Sequence, residues 1–340
     1  MAYGYYPGCS LSHSAAPYDI STRAVARALG LELQELQDWN CCGATEYIAL
    51  NRTAAYALVG RNLALAEAQL APVDGRPRQL VAPCSACFLN LSKVDDCLGH
   101  HPDVRGPVDQ ALAAGGLRYD PGSVVVRHLL EALVTDVGIE AIRKRVSHPL
   151  TALRVAPYYG CLLTRPEIPG HTFDDAEYPQ SLDELLRAVG AEVVDFPLKT
   201  HCCGGHMTQI SAETAYTLIH RLLSTAAEYQ ADVIAAACPM CQLNLDAYQS
   251  AVNKAFGTHF EIPVLYFTQL VGLALGLEAE ALGLGREMVP AREALAKVGV
   301  SEPPPPAPAP PRAAQRKKGD KSLPMPQRRK PARSRKGVHA

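Results

Sequence analysis

Ten of the eleven cysteines in this 340-residue chain fall into two sets of five that share one order. Each set has a single cysteine, then an adjacent pair followed by glycine, then a C-x-x-C motif. The first set is Cys9, Cys41, Cys42, Cys84 and Cys87, and the second set is Cys161, Cys202, Cys203, Cys238 and Cys241. Soft thiolates of this kind select zinc, copper(I) or iron–sulfur clusters.

The number of thiols in each set favours a cluster over a single ion. Structural zinc is satisfied by four ligands in a tetrahedron, and each set offers five. An adjacent pair such as Cys41-Cys42 cannot easily reach one tetrahedral ion with both sulfurs, but it can reach two metals of a cluster. The sequence therefore favours a polynuclear iron–sulfur centre in each set, with zinc at one site as the alternative.

Other redox chemistries fit the pattern less well. A thioredoxin-like C-x-x-C stands alone before a helix, without three further cysteines at fixed positions. The compact ferredoxin run C-x2-C-x2-C-x3-C-P is absent from the sequence, and so is a glycine-rich dinucleotide fingerprint after the first predicted strand. Electrons would therefore have to come from partner proteins.

The residues around the cysteines repeat as well. Tyr5-Tyr6-Pro7-Gly8-Cys9 corresponds to Tyr158-Tyr159-Gly160-Cys161, and the two C-x-x-C motifs are followed by Phe88-Leu89-Asn90-Leu91 and Gln242-Leu243-Asn244-Leu245. The offsets between the halves are 152, 161 and 154 residues at the three cysteine positions. A repeat of this length indicates a duplicated domain.

The elements between the cysteines predict a strand, helix, strand, helix, strand order in each half. A predicted strand precedes each cysteine position: Tyr3–Tyr6, Glu32–Leu36 and Gln79–Ala82 in the first half, and Arg154–Tyr159, Glu192–Phe196 and Val233–Ala237 in the second. The helices between them include one long helix over Glu46–Ala71 and one over Ala212–Gln230. This order is typical of a parallel sheet covered by helices. All cysteines would then lie at the carboxyl ends of strands, where open α/β sheets bind their ligands.

We therefore predict an α/β protein made of two pseudo-symmetric repeats, each a small parallel sheet covered by helices. The predicted domains are residues 1–147 and 148–300, followed by a tail over 301–340. That tail contains ten prolines and eleven Lys or Arg residues against Glu302 and Asp320, a local charge of +9, so we expect it to be disordered. The remaining 300 residues are acidic, at −10.

Composition predicts a cytoplasmic protein that is not integral to the membrane. Hydrophobic residues make up 48% and charged residues 20% of the chain, and the amino terminus shows no secretory signal pattern. The most apolar stretch, Ile262–Leu277, is too short to span a bilayer, and we predict a buried core helix there. Eleven cysteines in a reducing compartment indicate metal or redox chemistry rather than disulfides.

The chain resembles a known family at the cysteine motifs. The duplicated pattern resembles the cysteine-rich CCG domain, and the phrases Tyr5-Tyr6-Pro7-Gly8-Cys9-Ser10-Leu11 and Asp38-Trp39-Asn40-Cys41-Cys42-Gly43 resemble the B-type subunits of heterodisulfide reductases. The resemblance covers residues 1 to about 285. It implies that each set of five cysteines binds one non-cubane [4Fe-4S] cluster, and that the two clusters together cleave or form a disulfide.

The resemblance also implies partners. A C-type subunit with ordinary [4Fe-4S] clusters would deliver electrons, and an A-type flavoprotein subunit would supply that C-type protein. The substrate would be a disulfide or a pair of thiols, and no nucleic-acid role is expected. Two alternatives remain open from the residues themselves: a non-catalytic electron-transfer subunit, and a zinc-binding scaffold.

Cleaving a disulfide produces two thiolates that need protons. Lys199, His201 and His206 flank Cys202-Cys203 and are the candidate catalytic residues, with His13 a weaker candidate. These side chains could instead donate hydrogen bonds to cluster sulfurs or orient the loop. Trp39 is expected to shield the first cluster by packing against it, and Cys97 belongs to neither set.

Overall fold

A computed structural model of the chain describes residues 1–44, 47–72, 75, 77–168 and 173–305. Two four-stranded sheets, both entirely parallel, form its framework. The first sheet has the order β2-β1-β3-β4 and the second has the order β6-β5-β7-β8. The strands are β1 (Ala2–Tyr5), β2 (Glu32–Glu35), β3 (Arg78–Ala82), β4 (Val124–His128), β5 (Arg154–Tyr158), β6 (Glu192–Val193), β7 (Val233–Ala236) and β8 (Val264–Tyr266).

Helices connect consecutive strands of each sheet, as parallel pairing requires. In the first repeat they are α1 (Gly8–Leu11), α2 (Ala16–Leu29), α3 (Tyr47–Leu50), α4 (Arg52–Gln69), α5 (Ser85–His100), α6 (Pro102–Ala114), α7 (Leu129–Glu131) and α8 (Ile139–Arg143), with a π-helical segment over Ala132–Gly138. In the second repeat they are α9 (Ser181–Ala188), α10 (Met207–Ile210), α11 (Ala212–Glu228), α12 (Pro239–Ala247), α13 (Gln249–Phe256), α14 (Phe267–Ala274) and α15 (Arg292–Ala296), with a 3₁₀ turn over Glu280–Leu282. The predicted α/β fold of two repeated parallel sheets is confirmed.

The central strand β7 shows why these sequences form sheets covered on both faces. Its four residues, Val-Ile-Ala-Ala, are all fully buried, as are Leu80, Val81 and Ala82 of β3. A parallel sheet buried on both faces needs a continuous apolar run rather than an alternating one. Both runs end at the C-x-x-C motifs, so the most buried strands deliver these cysteines.

Each sheet has a fourth strand that the sequence analysis did not predict. Strand β4 pairs with β3, and β8 pairs with β7. The prediction of one helix over Ile262–Leu277 is therefore wrong for its first part, because Val264–Tyr266 form β8 and only Phe267–Ala274 form a helix. Residues 262–274 are buried as predicted, and the strand pairs its backbone groups with β7.

The prediction of one uninterrupted helix over Glu46–Ala71 is also wrong. Asn51 has an extended backbone and its side chain accepts a hydrogen bond from the Ala54 amide, so that α4 begins there with a capped end. Ser211 has nearly the same backbone angles between α10 and α11 in the second repeat. A short helix after each adjacent cysteine pair is thus a feature of both repeats.

The described residues from Met1 to Pro305 form one compact unit. Helix α2 of the first repeat packs against α14 of the second, and α9 of the second repeat packs against α7 and α8 of the first. The predicted boundary at residues 147 and 148 falls between α8 and β5, where both amides bond the Ala274 carbonyl at 2.9 and 3.1 Å. The domain limits themselves stay a prediction.

Two further predictions concern the membrane and the tail. Within the described part of the chain, no helix has the length and apolar character needed to cross a bilayer. Most of the predicted tail, residues 306–340, lies outside the described residues. Near its start, Glu302 accepts a hydrogen bond of 2.7 Å from the Ala291 amide.

Candidate functional site

The first set of cysteines gathers at the carboxyl ends of the first three strands. Cys9 lies in α1 directly after β1, Cys41 and Cys42 lie in the loop after β2, and Cys84 and Cys87 open α5 after β3. The sulfurs of Cys9 and Cys41 are 3.4 Å apart, and those of Cys42 and Cys87 are 3.3 Å apart. Residues 78 positions apart in the sequence therefore share one site.

The second set is arranged in the same way. Cys161 follows β5, the adjacent pair follows β6, and Cys238 and Cys241 open α12 after β7. Cys161 interacts with Cys202, and Cys203 interacts with Cys241, which repeats the pairing of the first set. The structure thus places cysteines of each repeat close together, and their role as ligands of a cluster stays a prediction.

Members of each adjacent pair point in different directions. Cys41 is exposed and Cys42 is buried, and likewise Cys202 is exposed and Cys203 is buried. One sulfur of each pair therefore contacts the outer cysteine, and the other contacts the C-x-x-C motif inside. This is the arrangement expected if the pair reaches two metals of a cluster rather than one ion.

The thiols act strongly on one another's pKa values. Hydrogen bonding by Cys42 and Cys9 lowers the pKa of Cys41, and the Gly43 amide adds to the effect. Hydrogen bonding by Cys161 lowers the pKa of Cys202 to about 6, again with help from a glycine amide, that of Gly204. The outer member of each adjacent pair is thus more ready than an unperturbed thiol to bind a metal as a thiolate.

Two asparagines hold the cysteine loops in place. Asn90 donates to the Cys42 carbonyl at 3.1 Å, and Asn244 donates to the carbonyls of Cys203 and Gly205 at 3.0 and 2.9 Å. Each asparagine lies three residues after the second cysteine of its C-x-x-C motif. The repeated Leu-Asn-Leu phrase was the sequence signal for this role.

Two tyrosine hydroxyls also form hydrogen bonds with these cysteine loops. The hydroxyl of Tyr6 donates to the Asn40 carbonyl at 2.6 Å, and that of Tyr158 donates to the His201 carbonyl at 2.7 Å. Both acceptors are the residues directly before the adjacent cysteine pairs. Tyr6 and Tyr158 are therefore structurally equivalent. Each lies two residues before the glycine that precedes the first cysteine of its set.

A glycine before the first cysteine of each set is required by space. Gly8 and Gly160 have φ values of +73° and +70°. A Cβ atom at these positions would lie 2.9 Å from the Cys87 sulfur and 2.8 Å from the Cys241 sulfur. Only glycine lets the chain pass this close to the sulfur while adopting a left-handed conformation.

A cavity of about 310 Å³ lies between the two repeats and opens on the second set. The first repeat contributes the segment after Cys42 and the start of α5, including Ile48, Ala86 and Leu89. From the second repeat it is lined by Tyr159, Cys161, Leu162, Cys202, Cys203, Gly205, His206, Cys238, Met240 and Cys241. No lysine, arginine, aspartate or glutamate is among the described residues of its wall.

The predicted catalytic residues lie in three different places. His206 lines the cavity. His201 is exposed, and partial burial together with Arg221 and Arg165 lowers its pKa. Lys199 is buried, with its Nζ atom 3.2 Å from Oδ1 of Asp183 and 3.8 Å from the centre of the Tyr178 ring. The structure brings only one of the three side chains to the cavity wall.

The remaining sequence candidates lie at the edges of the site. Trp39 packs edge to face on Tyr6 with 5.5 Å between the ring centres, so it covers the tyrosine that supports the first set. His13 is exposed, with Nδ1 close to the Ser12 carbonyl. Cys97 is half-buried on α5 and interacts with Tyr56, away from both sets.

Sequence reasoning missed the residues that join the two sites. Tyr18 is fully buried in α2, and its hydroxyl donates to the carbonyls of Pro83 and Ala237 at 3.0 and 3.3 Å. Its role was not visible because these carbonyls come from different repeats, and no local pattern marks such a contact.

Comparisons with known proteins place the chain in a family. Residues 3–92 and 155–246 match the model of the family described as "Cysteine-rich domain", named CCG. The chain is 36% identical over 292 residues to the "8-methylmenaquinol:fumarate reductase membrane anchor subunit" of Wolinella succinogenes, a match that covers 85% of this chain and 97% of that protein.

A second relative and a solved structure extend the comparison. The chain is 31% identical to the B-type subunit of the ferredoxin/F420H2-dependent CoB-CoM heterodisulfide reductase of Methanosarcina acetivorans, over 86% of this chain and 95% of that protein. The crystal structure of a hypothetical protein from Helicobacter pylori has the same fold, with a TM-score of 0.66 and 14% identity, over 85% of this chain and 52% of that one. The chain belongs to the family of duplicated CCG cysteine-rich domain proteins that includes the B-type subunits of heterodisulfide reductases.

Proposed function

We propose that the chain is the B-type iron–sulfur subunit of a heterodisulfide-reductase-like complex, with one non-cubane [4Fe-4S] cluster in each set of five cysteines. The coarser assignment, an iron–sulfur redox subunit, follows from its family and its cysteines. The observation that carries the finer proposal is the cavity between the repeats, whose wall contains all five cysteines of the second set.

The geometry of the thiols favours clusters over the zinc-scaffold alternative. A structural zinc site needs four ligands in a tetrahedron, at about 2.0–2.3 Å from the metal, and each set here offers five thiols. Five sulfurs spread over an exposed and a buried side of each site suit a polynuclear group instead.

In this proposal the clusters supply and accept electrons, and the chain's own residues shape the surroundings. The amides of Gly43 and Gly204 donate to the exposed sulfurs of Cys41 and Cys202, at 3.5 and 3.3 Å. Such donors stabilise thiolate charge and tune the reduction potential.

The proposed reaction is the reduction of a disulfide to two thiols, or its reverse. Two electrons and two protons enter, one S–S bond breaks and two S–H bonds form. Of the three predicted proton donors, His206 is the one that lines the cavity, so we assign one of the two protons to it, and the second comes from solvent. His201 and Lys199 stay predictions; the ion pair of Lys199 with Asp183 supports a role in holding the loop.

Electrons would arrive through partner proteins. The sequence contains no ferredoxin-type run of cysteines and no dinucleotide fingerprint. We therefore propose that a C-type [4Fe-4S] subunit is the direct donor and that an A-type flavoprotein subunit supplies the C-type protein. The name of the Methanosarcina relative, which refers to ferredoxin and F420H2, is consistent with electrons coming from outside the B-type chain.

A second candidate substrate is a quinol. The Wolinella relative is named for 8-methylmenaquinol and fumarate, and it is 36% identical to this chain. One observation favours this reading: the described cavity wall carries no acidic side chain, lysine or arginine. An uncharged aromatic ring fits such a wall better than an anionic thiol does, because buried charge needs a partner. The chain would then be an electron-transfer subunit that does not act on a disulfide.

Metal analysis tests the cluster proposal first. Two four-iron clusters correspond to about eight iron atoms and matching acid-labile sulfide per chain. Replacement of Cys238 by Ser should remove about half of the iron. Cys97→Ser is the matched control and should keep all of the iron, because this thiol lies outside both sets. About two zinc ions and no sulfide would establish the scaffold instead.

Spectroscopy with candidate substrates then separates the two reactions. A paramagnetic signal that changes on adding a small dithiol, but not menadiol, supports disulfide chemistry. The opposite pattern supports the quinol. A signal that neither compound changes identifies a non-catalytic conduit.

A further inference from the structure

The two C-x-x-C loops meet at the junction of the repeats. The thiols of Cys84 and Cys238, the first cysteine of each motif, interact with each other as well as with their own sets. Ser85 adds a link across the junction, with its hydroxyl 3.4 Å from the Ala237 carbonyl. The distance between the two cysteine sites therefore depends on how these two loops contact each other.

One side chain lies under both loops. The Tyr18 hydroxyl donates to Pro83 and to Ala237, the residues that directly precede Cys84 and Cys238. Its ring is stacked on Tyr266 at a centroid distance of 4.3 Å and an interplanar angle of 5°. Tyr18 belongs to the first repeat and Tyr266 to the second, so the stack fixes the hydroxyl relative to both sheets.

The second repeat does not duplicate this arrangement. Tyr178 lies twelve residues before Gly190, as Tyr18 lies twelve before Gly30. Yet Tyr178 is 49% exposed, and its hydroxyl bonds Asp195 instead of a cysteine loop. A core-filling role alone would need only the ring of Tyr18, and a phenylalanine would serve. Packing alone does not explain the hydroxyl, which is fully buried and bonds to both repeats.

We propose that Tyr18 is a positioning residue that fixes the distance between the two cysteine sites by holding the C-x-x-C loops of both repeats on one hydroxyl. Loss of the hydroxyl removes one donor from two loops at once, while the stacked ring keeps the packing. The loops then move independently, and the relation between the two sites changes although each set of five thiols stays complete.

Tyr18→Phe in the full chain is the test, with Tyr119→Phe as control. Tyr119 is also a buried tyrosine of the first repeat, but its hydroxyl bonds Asp95, which is not part of either cysteine set. In anaerobically purified protein we expect Tyr18→Phe to keep its iron, and to shift a cluster midpoint potential and the magnetic interaction between the clusters. Tyr119→Phe should change neither. Spectra and potentials of Tyr18→Phe identical to those of the unaltered chain would overturn the proposal.

The spectroscopic test rests on the proposed function, but a second one does not. If the purified chain contains no iron, the proposed function fails, and cross-linking of that same material tests Tyr18. Diamide takes one electron and one proton from each of two thiols, forming a disulfide and its own hydrazine. Mass spectrometry then gives the ratio of Cys84–Cys238 linkage to links within each set. A severalfold lower ratio in Tyr18→Phe supports the proposal, and an unchanged ratio refutes it.

Ser85→Ala provides a second variant should Tyr18→Phe not fold. It removes the longer bond across the same junction and leaves Tyr18 in place. We expect a smaller shift of the same sign in the cross-linking ratio or in the magnetic interaction. No shift in either quantity would count against a junction held by these hydroxyls.

Discussion

The thiol of Cys84 faces the thiol of Cys238, so that the first cysteine of each C-x-x-C motif lies against its counterpart from the other repeat. Hydrogen bonding with Cys238 raises the pKa of Cys84, and hydrogen bonding by Cys241 and Cys84 lowers that of Cys238. The two sets of five are therefore not isolated sites. If each set holds one cluster, as proposed above, two one-electron centres this close together would suit a two-electron reaction on a disulfide or a quinol.

Gly160→Ala should empty the second site while leaving the first intact. The new Cβ would lie 2.8 Å from the Cys241 sulfur, and the φ of +70° is unfavourable for alanine. We expect about half of the iron to be lost. Gly257→Ala is the control, because its φ is +69° and nothing lies within 4 Å of its Cβ position. It should cost about 1–2 kcal/mol of stability and no iron. Equal iron loss in both variants would mean that backbone strain alone is responsible.

Asn244→Ala should loosen the loop that carries Cys203. It removes hydrogen bonds to the carbonyl of Cys203, which stays buried, and to the carbonyl of the half-buried Gly205, at a cost of about 1–3 kcal/mol. Asn253→Ala removes comparable bonds to the backbone of Phe260, away from the cysteines. Denaturant unfolding should show a similar loss for both. Iron analysis should show a loss for Asn244→Ala only, and retention of iron there would contradict the role given to this residue.

His206→Ala separates the two roles of this histidine. If His206 supplies a proton in the cavity, turnover should fall about 10²–10⁴-fold at full iron content. If iron and activity are lost in parallel, His206 has only a structural role. His259→Ala, at an exposed position outside the described cavity wall, is the control and should keep both.

Lys199→Met tests whether the buried lysine acts in the reaction or holds the fold. Removing the ammonium leaves the buried Asp183 with only the Tyr159 hydroxyl and the more distant Arg187 guanidinium, and should cost at most about 3–5 kcal/mol. The double variant Lys199→Met with Asp183→Asn removes both charges and should recover much of the stability. Activity that returns with stability indicates a structural role. Activity that stays lost in a stable double variant supports the predicted catalytic role.

His128 should make the protein sensitive to acid. Burial lowers its pKa from 6.5 to about 4. Between these values the unfolded chain binds a proton and the folded chain does not, so stability falls as the pH decreases from about 6.5 to about 4. The loss approaches about 3 kcal/mol at the lower end. Above about pH 6.5 the residue is neutral in both states and contributes no pH dependence.

Replacing His128 by Gln removes this titrating group. Denaturant unfolding between pH 7 and pH 4.5 should therefore show a shallower decline for His128→Gln than for the unaltered chain. Parallel curves would show that other groups cause the acid sensitivity.

Only those elements of the fold that leave a local pattern in the sequence could be predicted from it. In both repeats the first and third strands were predicted from apolar or aromatic runs that lead into a cysteine, and the second strand from its place between a helix and the loop of the adjacent cysteine pair. Strands β4 and β8 were missed because Val124–His128 has no cysteine after it and Val264–Tyr266 is continuous with an apolar helix. Asn51 was missed as a helix start because the pattern around it is helical on both sides.

The sequence by itself determined which thiols belong together, because duplication repeats their order and because strands of a parallel sheet bring their ends to one edge. Only the tertiary structure decided that Cys84 meets Cys238, that Tyr18 bonds both loops, that Lys199 pairs with Asp183, and that a cavity opens on the second set. Those contacts join residues from different repeats or distant loops. They depend on how two folded units pack, and packing leaves no periodic trace in the order of residues along the chain.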